Sequence, residues 1–376
     1  MDIHDSFTWD RARSFLPFQL ERLMRTSGLL ERLRGTKSAE DLCRLLLLCA
    51  LPKASFAAVS EWGREVGIAS MSASAVFFRL CEAEQFMREC FLEVLLHAAS
   101  RGSARCFGKY RLLAVDATVL CGPGATGTDQ KLHVVYDLGA CAPISVDVTG
   151  SEGGESLARP EHIFKPGDLV LGDRGYGHAR GLNSIIEAGS RFLIRFEFAS
   201  IRLLDEFGEK ITPKAAADRV PPRSGMDFLV WLPERDEPLR VIGDRNDKGE
   251  NVWLITNLTS EELSVEEARS LYSARWQIEL FFKRLKSLLD LDELPTRDGP
   301  TARPWIWAKL VLAALAVVMT DERFSPWGRA HVEFGVGSVS NGSLESDIGA
   351  PGRVLTPQKA QQAAQKTATT APSIFA

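Results

Sequence analysis

The sequence lacks the features that mark disulfide-rich, zinc-binding and membrane-spanning proteins. Its seven cysteines are odd in number and none forms a C-x-x-C pair. This predicts reduced, mostly buried thiols and argues against a disulfide framework or a zinc site. The longest apolar run, residues 310–319, has ten residues, whereas crossing a bilayer requires about 20. Residues 1–15 contain no apolar segment, so no signal peptide is indicated. We therefore expect a cytoplasmic protein with no membrane partner.

An excess of charge of one sign is also absent. The chain has 45 Lys and Arg residues against 49 Asp and Glu residues, a formal net charge of −4. With 45% hydrophobic and 25% charged residues, the composition excludes whole-chain disorder, a collagen repeat and a bare coiled coil. The length of 376 residues allows two or three domains. Net charge does not exclude a nucleic-acid partner, because charged patches act locally.

Residues 1–105 are predicted to be helical. Within them, a helix is followed by a short turn containing Gly67 and by a second helix that Ser70 or Ser72 would cap. A helix, a short turn and a helix form the outline of a helix-turn-helix. DNA contact and plain helix packing are both open interpretations of this segment.

The rest of the chain divides into segments with different predicted secondary structure and composition. Residues 106–196 alternate predicted strands with a helix, and residues 263–319 add long helices. Together they predict an α/β core, a mixed sheet flanked by helices. Residues 197–262 contain short strands separated by turn signals, which indicates a β-rich insertion. Residues 320–376 are small, polar and turn-rich, typical of a flexible tail that cannot bury enough surface to fold alone.

Two aspartates follow runs of apolar residues. Asp116 comes after Leu-Leu-Ala-Val and Asp173 after Leu-Val-Leu-Gly. A carboxylate at a buried strand is costly unless it is paired or binds a cation. Acidic residues at the ends of strands are also typical of sites in α/β sheets. The plainer alternatives are an edge-strand or capping role for Asp116, and a turn-forming role for Asp173 supported by Arg174.

One long helix is predicted over residues 264–291, with a capping box formed by Ser264 and Glu267. At about 100° per residue, four polar residues share an arc of about 60°, opposite an apolar stripe. These four residues are Tyr272, Arg275, Glu279 and Lys286. The row is either a solvated charged face or one side of a site. With two upstream aspartates, the glutamate would complete a set of oxygen ligands suited to Mg²⁺, beside basic groups suited to phosphates.

The spacing Tyr272-x2-Arg275-x3-Glu279-x6-Lys286 matches the Y-(2)-R-(3)-E-(6)-K signature of the insertion-sequence-four family of DDE transposases. The chain resembles that family over roughly residues 35–328, and its two upstream aspartates resemble the family's first and second catalytic carboxylates. The resemblance implies an RNase H-like catalytic core with a β-rich insertion between the second aspartate and the glutamate.

The resemblance also implies a reaction. Asp116, Asp173 and Glu279 would be catalytic and would hold Mg²⁺ or Mn²⁺, as two ions that stabilise the attacking and leaving oxygens. Water would cut a phosphodiester at the element's inverted-repeat end, and the freed 3′-OH would attack another phosphodiester. The expected partners are double-stranded DNA, both element ends and target, and a second copy of the chain as a homodimer in the synaptic complex.

Better-known members of the family form a DNA hairpin and stack a flipped base on a tryptophan of the insertion. Trp253 resembles that residue in context, with Trp231 as the second candidate. The alternative for Trp253 is a core aromatic. Tyr272, Arg275 and Lys286 would contact DNA, and Arg174 would contact phosphate or cap its turn.

These observations favour an insertion-sequence transposase associated with the nucleoid. One alternative is a metal-dependent nuclease or resolvase that cuts without joining. The other is a catalytically impaired DNA-binding protein derived from a transposase. This last alternative is motivated by residues 320–376, which depart from the family pattern after the segment 325–328.

Overall fold

The computed structural model describes residues 9–319, except residues 52, 100–105, 125–126, 128, 158–163, 218–225, 234, 246–250 and 292–293. The predicted tail, residues 320–376, lies outside the described residues. Within the described ranges, no helix combines the length and the apolar character needed to cross a membrane.

Six helices precede the first strand in the described chain. They are α1 (Trp9–Arg13), α2 (Leu20–Thr26), α3 (Ala39–Leu48), α4 (Phe56–Glu65), α5 (Ala73–Cys81) and α6 (Glu84–Ala99). The predicted pair of helices is present as α4 and α5. Gly67 follows α4 with a φ of 71°, a left-handed conformation that glycine adopts without steric cost. Ser72 caps α5 by accepting a hydrogen bond from the backbone N–H of Ala75. DNA contact by this pair stays a prediction.

Nine strands form one mixed sheet in the described part of the chain. They are β1 (Cys106–Phe107), β2 (Tyr110–Leu120), β3 (Gln130–Asp137), β4 (Ala142–Gly150), β5 (Asp168–Gly172), β6 (Arg191–Arg195), β7 (Met226–Val230), β8 (Leu239–Arg245) and β9 (Asn251–Thr256). The order is β4-β3-β2-β5-β6-β9-β8-β7, with β1 also paired to β2. Strand β5 is parallel to β2 and β6, and the other pairs are antiparallel. This is the predicted RNase H-like mixed sheet.

The two faces of the sheet pack against different cores. Along β2, Leu112 and Ala114 belong to one core and Leu113 and Val115 to the other, because successive side chains of a strand point to opposite faces. The first core contains the N-terminal helices and the buried helix α11 (Gly299–Met319). The second contains residues of α7 (Ala179–Glu187). The sheet is therefore the middle layer between two groups of helices.

The β-rich segment predicted as an insertion does not form a sheet of its own. Its strands β7, β8 and β9 extend the central sheet beyond β6, with Ile194 paired to Ile255. The short helix α8 (Pro213–Ala217) lies in the same segment. Pairing with β9 satisfies backbone groups that β6 would otherwise leave open at an edge. The predicted β content of this insertion is confirmed. The domain boundaries at 105, 197 and 262 stay predictions.

The single helix predicted over residues 264–291 is wrong. The segment contains two helices, α9 (Val265–Ser273) and α10 (Trp276–Leu289). Between them, the backbone N–H groups of Ala274 and Arg275 bond to carbonyl oxygens three residues earlier. Such bonds wind the chain more tightly than an α-helix does. The angular positions calculated for one continuous helix therefore do not hold across this turn.

Candidate active site

Asp116 and Asp173 are neighbours at the point where the central strands β2 and β5 stop pairing. The parallel pairing of β2 and β5 ends with Val115 opposite Gly172, so the next residue on each strand is an aspartate. Each aspartate accepts a hydrogen bond at its Oδ1 atom from the backbone N–H of the following residue, at 2.8 Å in both cases. The two strands thus place both carboxylates at the carboxyl end of β5, the side of a parallel sheet on which α/β proteins bind ligands.

Arg275 connects these carboxylates with a third. Its Nη1 atom lies 3.5 Å from Oδ2 of Asp116, and its Nη2 atom lies 3.9 Å from Oδ2 of Asp173. The same Nη2 atom is 2.5 Å from Oε1 of Glu279. The Arg275 side chain is only 12% exposed. Three carboxylates, from β2, from the turn after β5 and from α10, therefore converge on one largely buried guanidinium.

The turn between α9 and α10 brings Tyr272 into the same group. The Tyr272 hydroxyl donates a hydrogen bond to Oδ1 of Asp173 at 3.3 Å. The guanidinium carbon of Arg275 lies 5.7 Å from the centre of the Tyr272 ring, within cation–π range. Burial and the nearby charge of Asp173 raise the pKa of the Tyr272 hydroxyl above its usual range, so this group remains a hydrogen-bond donor at neutral pH.

The site holds more negative charge than its cations neutralise. Burial raises the pKa of Asp116 to about 6, and the negative charges of Glu155 and Asp173 act in the same direction. The backbone N–H of Ala117 and the guanidinium of Arg275 oppose the shift only in part. A carboxylate in this state gains from an added cation, because the charged form is poorly solvated.

The other residues of the predicted set lie at the rim. The Nζ atom of Lys286 donates a hydrogen bond to the carbonyl oxygen of Val119, near the end of β2, at 3.2 Å. Arg174 forms an ion pair with Glu197 and donates a hydrogen bond to its carboxylate. This hydrogen bond raises the pKa of Arg174. Both charged groups remain accessible to a ligand that approaches the edge of the sheet.

Sequence reasoning missed two charged residues of this region. Arg195 ends β6, the strand next to β5, and its Nη1 atom lies 3.9 Å from Oδ1 of Asp173. Glu155 lies in the connection after β4, and its carboxylate contacts Gly175. Arg195 could have been found from its place at the end of a strand, because ends of neighbouring parallel strands meet at one edge. Glu155 carries no comparable sequence signal.

Trp253 is not available as a stacking surface in this structure. It lies on β9, is 9% exposed and belongs to the second core. Its ring packs edge-on against Phe198, with the ring centres 5.2 Å apart. This burial favours the alternative, a core aromatic, and the base-stacking role stays a prediction. Trp231, the second candidate, is half-buried and donates its indole N–H to the carbonyl of Asp236.

The donor set fits a hard divalent cation. Asp116, Asp173 and Glu279 offer only carboxylate oxygens, the ligands that Mg²⁺ and Mn²⁺ prefer. All three face one positive group, Arg275. In the part of the chain that the structure describes, no group of three His, Cys, Asp or Glu side chains is close enough to enclose a metal ion. The carboxylates are grouped around the guanidinium.

Comparison with known proteins identifies the group to which this chain is similar. A family model described as a transposase DDE domain matches residues 107–315, more than half of the chain. The putative transposase InsL for insertion sequence element IS186A of Escherichia coli (strain K12) is 29% identical over 352 residues, covering 83% of this chain and 93% of that protein. The transposase for insertion sequence element IS421 of Escherichia coli is 29% identical over 353 residues, with the same coverage.

A more distant relative extends the comparison. The transposase for insertion sequence element IS231F of Bacillus thuringiensis subsp. israelensis is 24% identical over 241 residues, half of each chain. The matched family region contains Asp116, Asp173 and Glu279, together with the mixed sheet and the helices that position them. The chain belongs to the transposase family defined by this DDE domain.

Proposed function

We propose that Asp116, Asp173 and Glu279 are the catalytic carboxylates with which this DDE transposase cleaves DNA and transfers strands. One observation carries the proposal. These residues are far apart in the sequence, yet all three contact the guanidinium of Arg275. The carboxyl ends of strands in an α/β sheet are the usual place for a ligand site, and a group of carboxylates gathered there supports a catalytic role.

The family depends on divalent metal ions, and the three carboxylates are the groups that would hold them here. Mg²⁺ is the proposed ion, with Mn²⁺ as its substitute, and two ions are proposed on chemical grounds. When bound, such ions activate the attacking oxygen and stabilise the leaving oxygen of a phosphodiester. The carboxylates of this chain orient the site, and burial of Asp116 strengthens the attraction between its charge and a cation.

The basic and aromatic residues around the carboxylates are proposed to bind DNA phosphates. Lys286 and Arg174 present positive charges at the rim of the site. Arg275 and Tyr272 lie deeper, beside Asp173. Arg binds a phosphate through two parallel hydrogen bonds, whereas Lys provides a point charge. This arrangement would hold a DNA end across the carboxylate edge.

The α4–α5 pair is proposed to recognise the inverted repeats of an insertion sequence. Ser74 and Phe78 are exposed on α5, and an exposed second helix is the usual reading element of a helix-turn-helix. A homodimer is proposed for the synaptic complex, in which two element ends are held together. Molar mass measured with and without DNA bearing the terminal repeat tests the dimer: DNA-dependent dimerisation is expected, and a monomer with DNA bound rejects it.

The active-site proposal is tested with a labelled DNA fragment that carries one end of the element, plus Mn²⁺. The expected result is cleavage at the end followed by joining to a target. Asp116→Asn, Asp173→Asn and Glu279→Gln should each reduce both steps by about 100- to 1000-fold, the scale of loss when one electrostatic group is removed from an active site. Glu266→Gln, an exposed glutamate in the first turn of α9, is the matched control and should behave as the parent protein.

The alternatives correspond to distinct results of the same assay. Cleavage without joined products would replace the proposal by a nuclease or resolvase. DNA binding without cleavage would favour a DNA-binding protein derived from a transposase. Full activity in any of the three variants would reject that residue as a catalytic carboxylate.

A further inference from the structure

The carboxylate of Glu155 occupies space against Gly175, in the turn that follows Asp173. A Cβ atom placed on Gly175, two residues after Asp173, would lie 1.6 Å from Oε2 and 2.8 Å from Cδ of Glu155. Real Cβ atoms do not approach other atoms this closely. Glycine at position 175 therefore leaves room for the Glu155 carboxylate against the turn that carries Asp173.

The segment that carries Glu155 is held on its upstream side. It leaves β4 after Gly150, whose carbonyl accepts a hydrogen bond from the N–H of Gly153 at 3.1 Å. Gly153 packs against Thr149 so closely that a Cβ atom would lie 1.9 Å from the Thr149 hydroxyl oxygen. The chain is thus folded tightly against the end of β4, where only glycine fits.

The downstream side is held as well. Leu157, two residues after Glu155, is fully buried in the second core. It lies against Gly181 in α7, where an added Cβ atom would stand 3.2 Å from that of Leu157. Contacts on both sides restrict where the intervening residues can go. The packing on both sides therefore holds Glu155 against Gly175, in the turn that follows Asp173.

The Glu155 carboxylate lies against Gly175, in the turn that follows Asp173. Among the described residues, no hydrogen bond or ion pair engages the Glu155 carboxylate. Asp116, Asp173 and Glu279 carry three negative charges beside the two positive charges of Arg275 and Arg195. Glu155 adds a fourth negative charge next to this group, and a divalent ion would neutralise the excess.

We infer that Glu155 is a fourth carboxylate of the metal site, which increases its affinity for the divalent ion used in DNA cleavage. This inference rests on the proposed role of Asp116, Asp173 and Glu279. Supporting carboxylates around a metal typically change its affinity by about 10–100-fold. Glu155 gives the ion or one of its bound waters an additional oxygen partner on the side of Gly175.

The test is Mn²⁺ binding to the full chain without DNA, measured by calorimetry and by the loss of the free-ion paramagnetic signal. Glu155→Gln should weaken binding about tenfold, and Asp116→Asn should weaken it further. Glu152→Gln, an exposed glutamate of the same loop, should bind as the parent does. In EDTA, the Tm of Glu155→Gln should equal or exceed that of the parent, because like-charge repulsion is relieved. A residue that only supports the fold would lower the Tm instead.

The results separate the two proposals. Unchanged Mn²⁺ affinity in Glu155→Gln, with binding lost in Asp116→Asn, would overturn the role of Glu155 and leave the three-carboxylate site standing. Unchanged affinity in both variants would reject the metal site itself. If Glu155→Gln does not fold, Glu155→Asp decides: weaker Mn²⁺ binding at an unchanged Tm supports the role, and equal binding rejects it.

Discussion

Arg275 donates a hydrogen bond from Nη2 to Oε1 of Glu279, four residues further along the chain, at 2.5 Å. The Nη1 atom of the same guanidinium donates a hydrogen bond to Oδ2 of Asp116 at 3.5 Å. The guanidinium thus lies where a divalent ion would meet the same carboxylates. Its Nε atom is buried and has no hydrogen-bond partner among the residues that the structure describes. Arg275 and the ion are therefore expected to compete for these oxygens.

The first prediction concerns this competition. Arg275→Gln leaves the buried carboxylate of Asp116 without its counter-charge, so the protein should lose stability in EDTA. A loss of about 1–2 kcal/mol would lower the Tm by about 2–3 °C in a folded unit of this size. Saturating Mn²⁺ should then raise the Tm of the variant by more than it raises that of the parent. Lys283→Gln, at an exposed position of α10, is the control. An equal Mn²⁺ response in all three proteins would contradict the competition.

The second prediction concerns pH. The pKa of Asp116 is raised to about 6 in the folded chain, so the folded state retains a proton that the unfolded state has already lost. Stability therefore falls as pH rises from about 4 to 6, and the penalty remains above that range. With about 1.4 kcal/mol per pKa unit, the penalty is about 3 kcal/mol.

Asp116→Asn removes this titration. In urea denaturation with EDTA, the variant should be more stable than the parent at pH 7.5 and nearly equal to it at pH 4. The difference between the two proteins isolates Asp116 from the other titrating groups. A constant difference across this range would show that Asp116 is not a costly buried charge.

The third prediction concerns DNA binding by Lys286. Its ammonium group lies at the carbonyl of Val119 on the rim of the site, where it would meet a phosphate. Lys286→Ala should weaken binding to all DNA sequences by a similar factor. The slope of log affinity against log salt should fall by about one, because one fewer counterion is released. Lys214→Ala, on the exposed helix α8, should keep the parent slope. An unchanged slope in Lys286→Ala would exclude the phosphate contact.

The fourth prediction separates the two roles considered for Trp253. As a buried core aromatic beside Phe198, it should cost about 3–5 kcal/mol of stability when replaced by alanine. Urea denaturation measures this loss, and Trp231→Ala should lose less because Trp231 is only half-buried. A stable Trp253→Ala protein that fails specifically in end cleavage would restore the base-stacking role.

Local sequence patterns predicted much of the site. The strands before Asp116 and Asp173 were recognisable because buried strands are nearly continuous apolar runs. The start of α9 was recognisable because Ser264 and Glu267 satisfy each other's backbone N–H groups, and both hydrogen bonds of the capping box are present. These signals depend on residues only a few positions apart.

Other features left no local signal. The turn between α9 and α10 occurs at Ala274 and Arg275, without the Gly or Pro that usually marks a helix break. The sequence of β9 is typical of the insertion, yet in the sheet β9 pairs with β6 of the core as well as with β8. The sequence around Trp253 allows both a stacking surface and a core residue, and only its burial in the folded chain favours the core residue.

The sequence by itself determined which residue types could carry the chemistry: two aspartates after buried strands, and a glutamate spaced among a tyrosine, an arginine and a lysine. The tertiary structure decided how they are combined. Arg275 and Asp116 are 159 positions apart, and the contact of Glu155 with Gly175 joins two separate loops. Periodicity and capping report only neighbours along the chain, whereas such contacts arise when strands pair and helices pack on them.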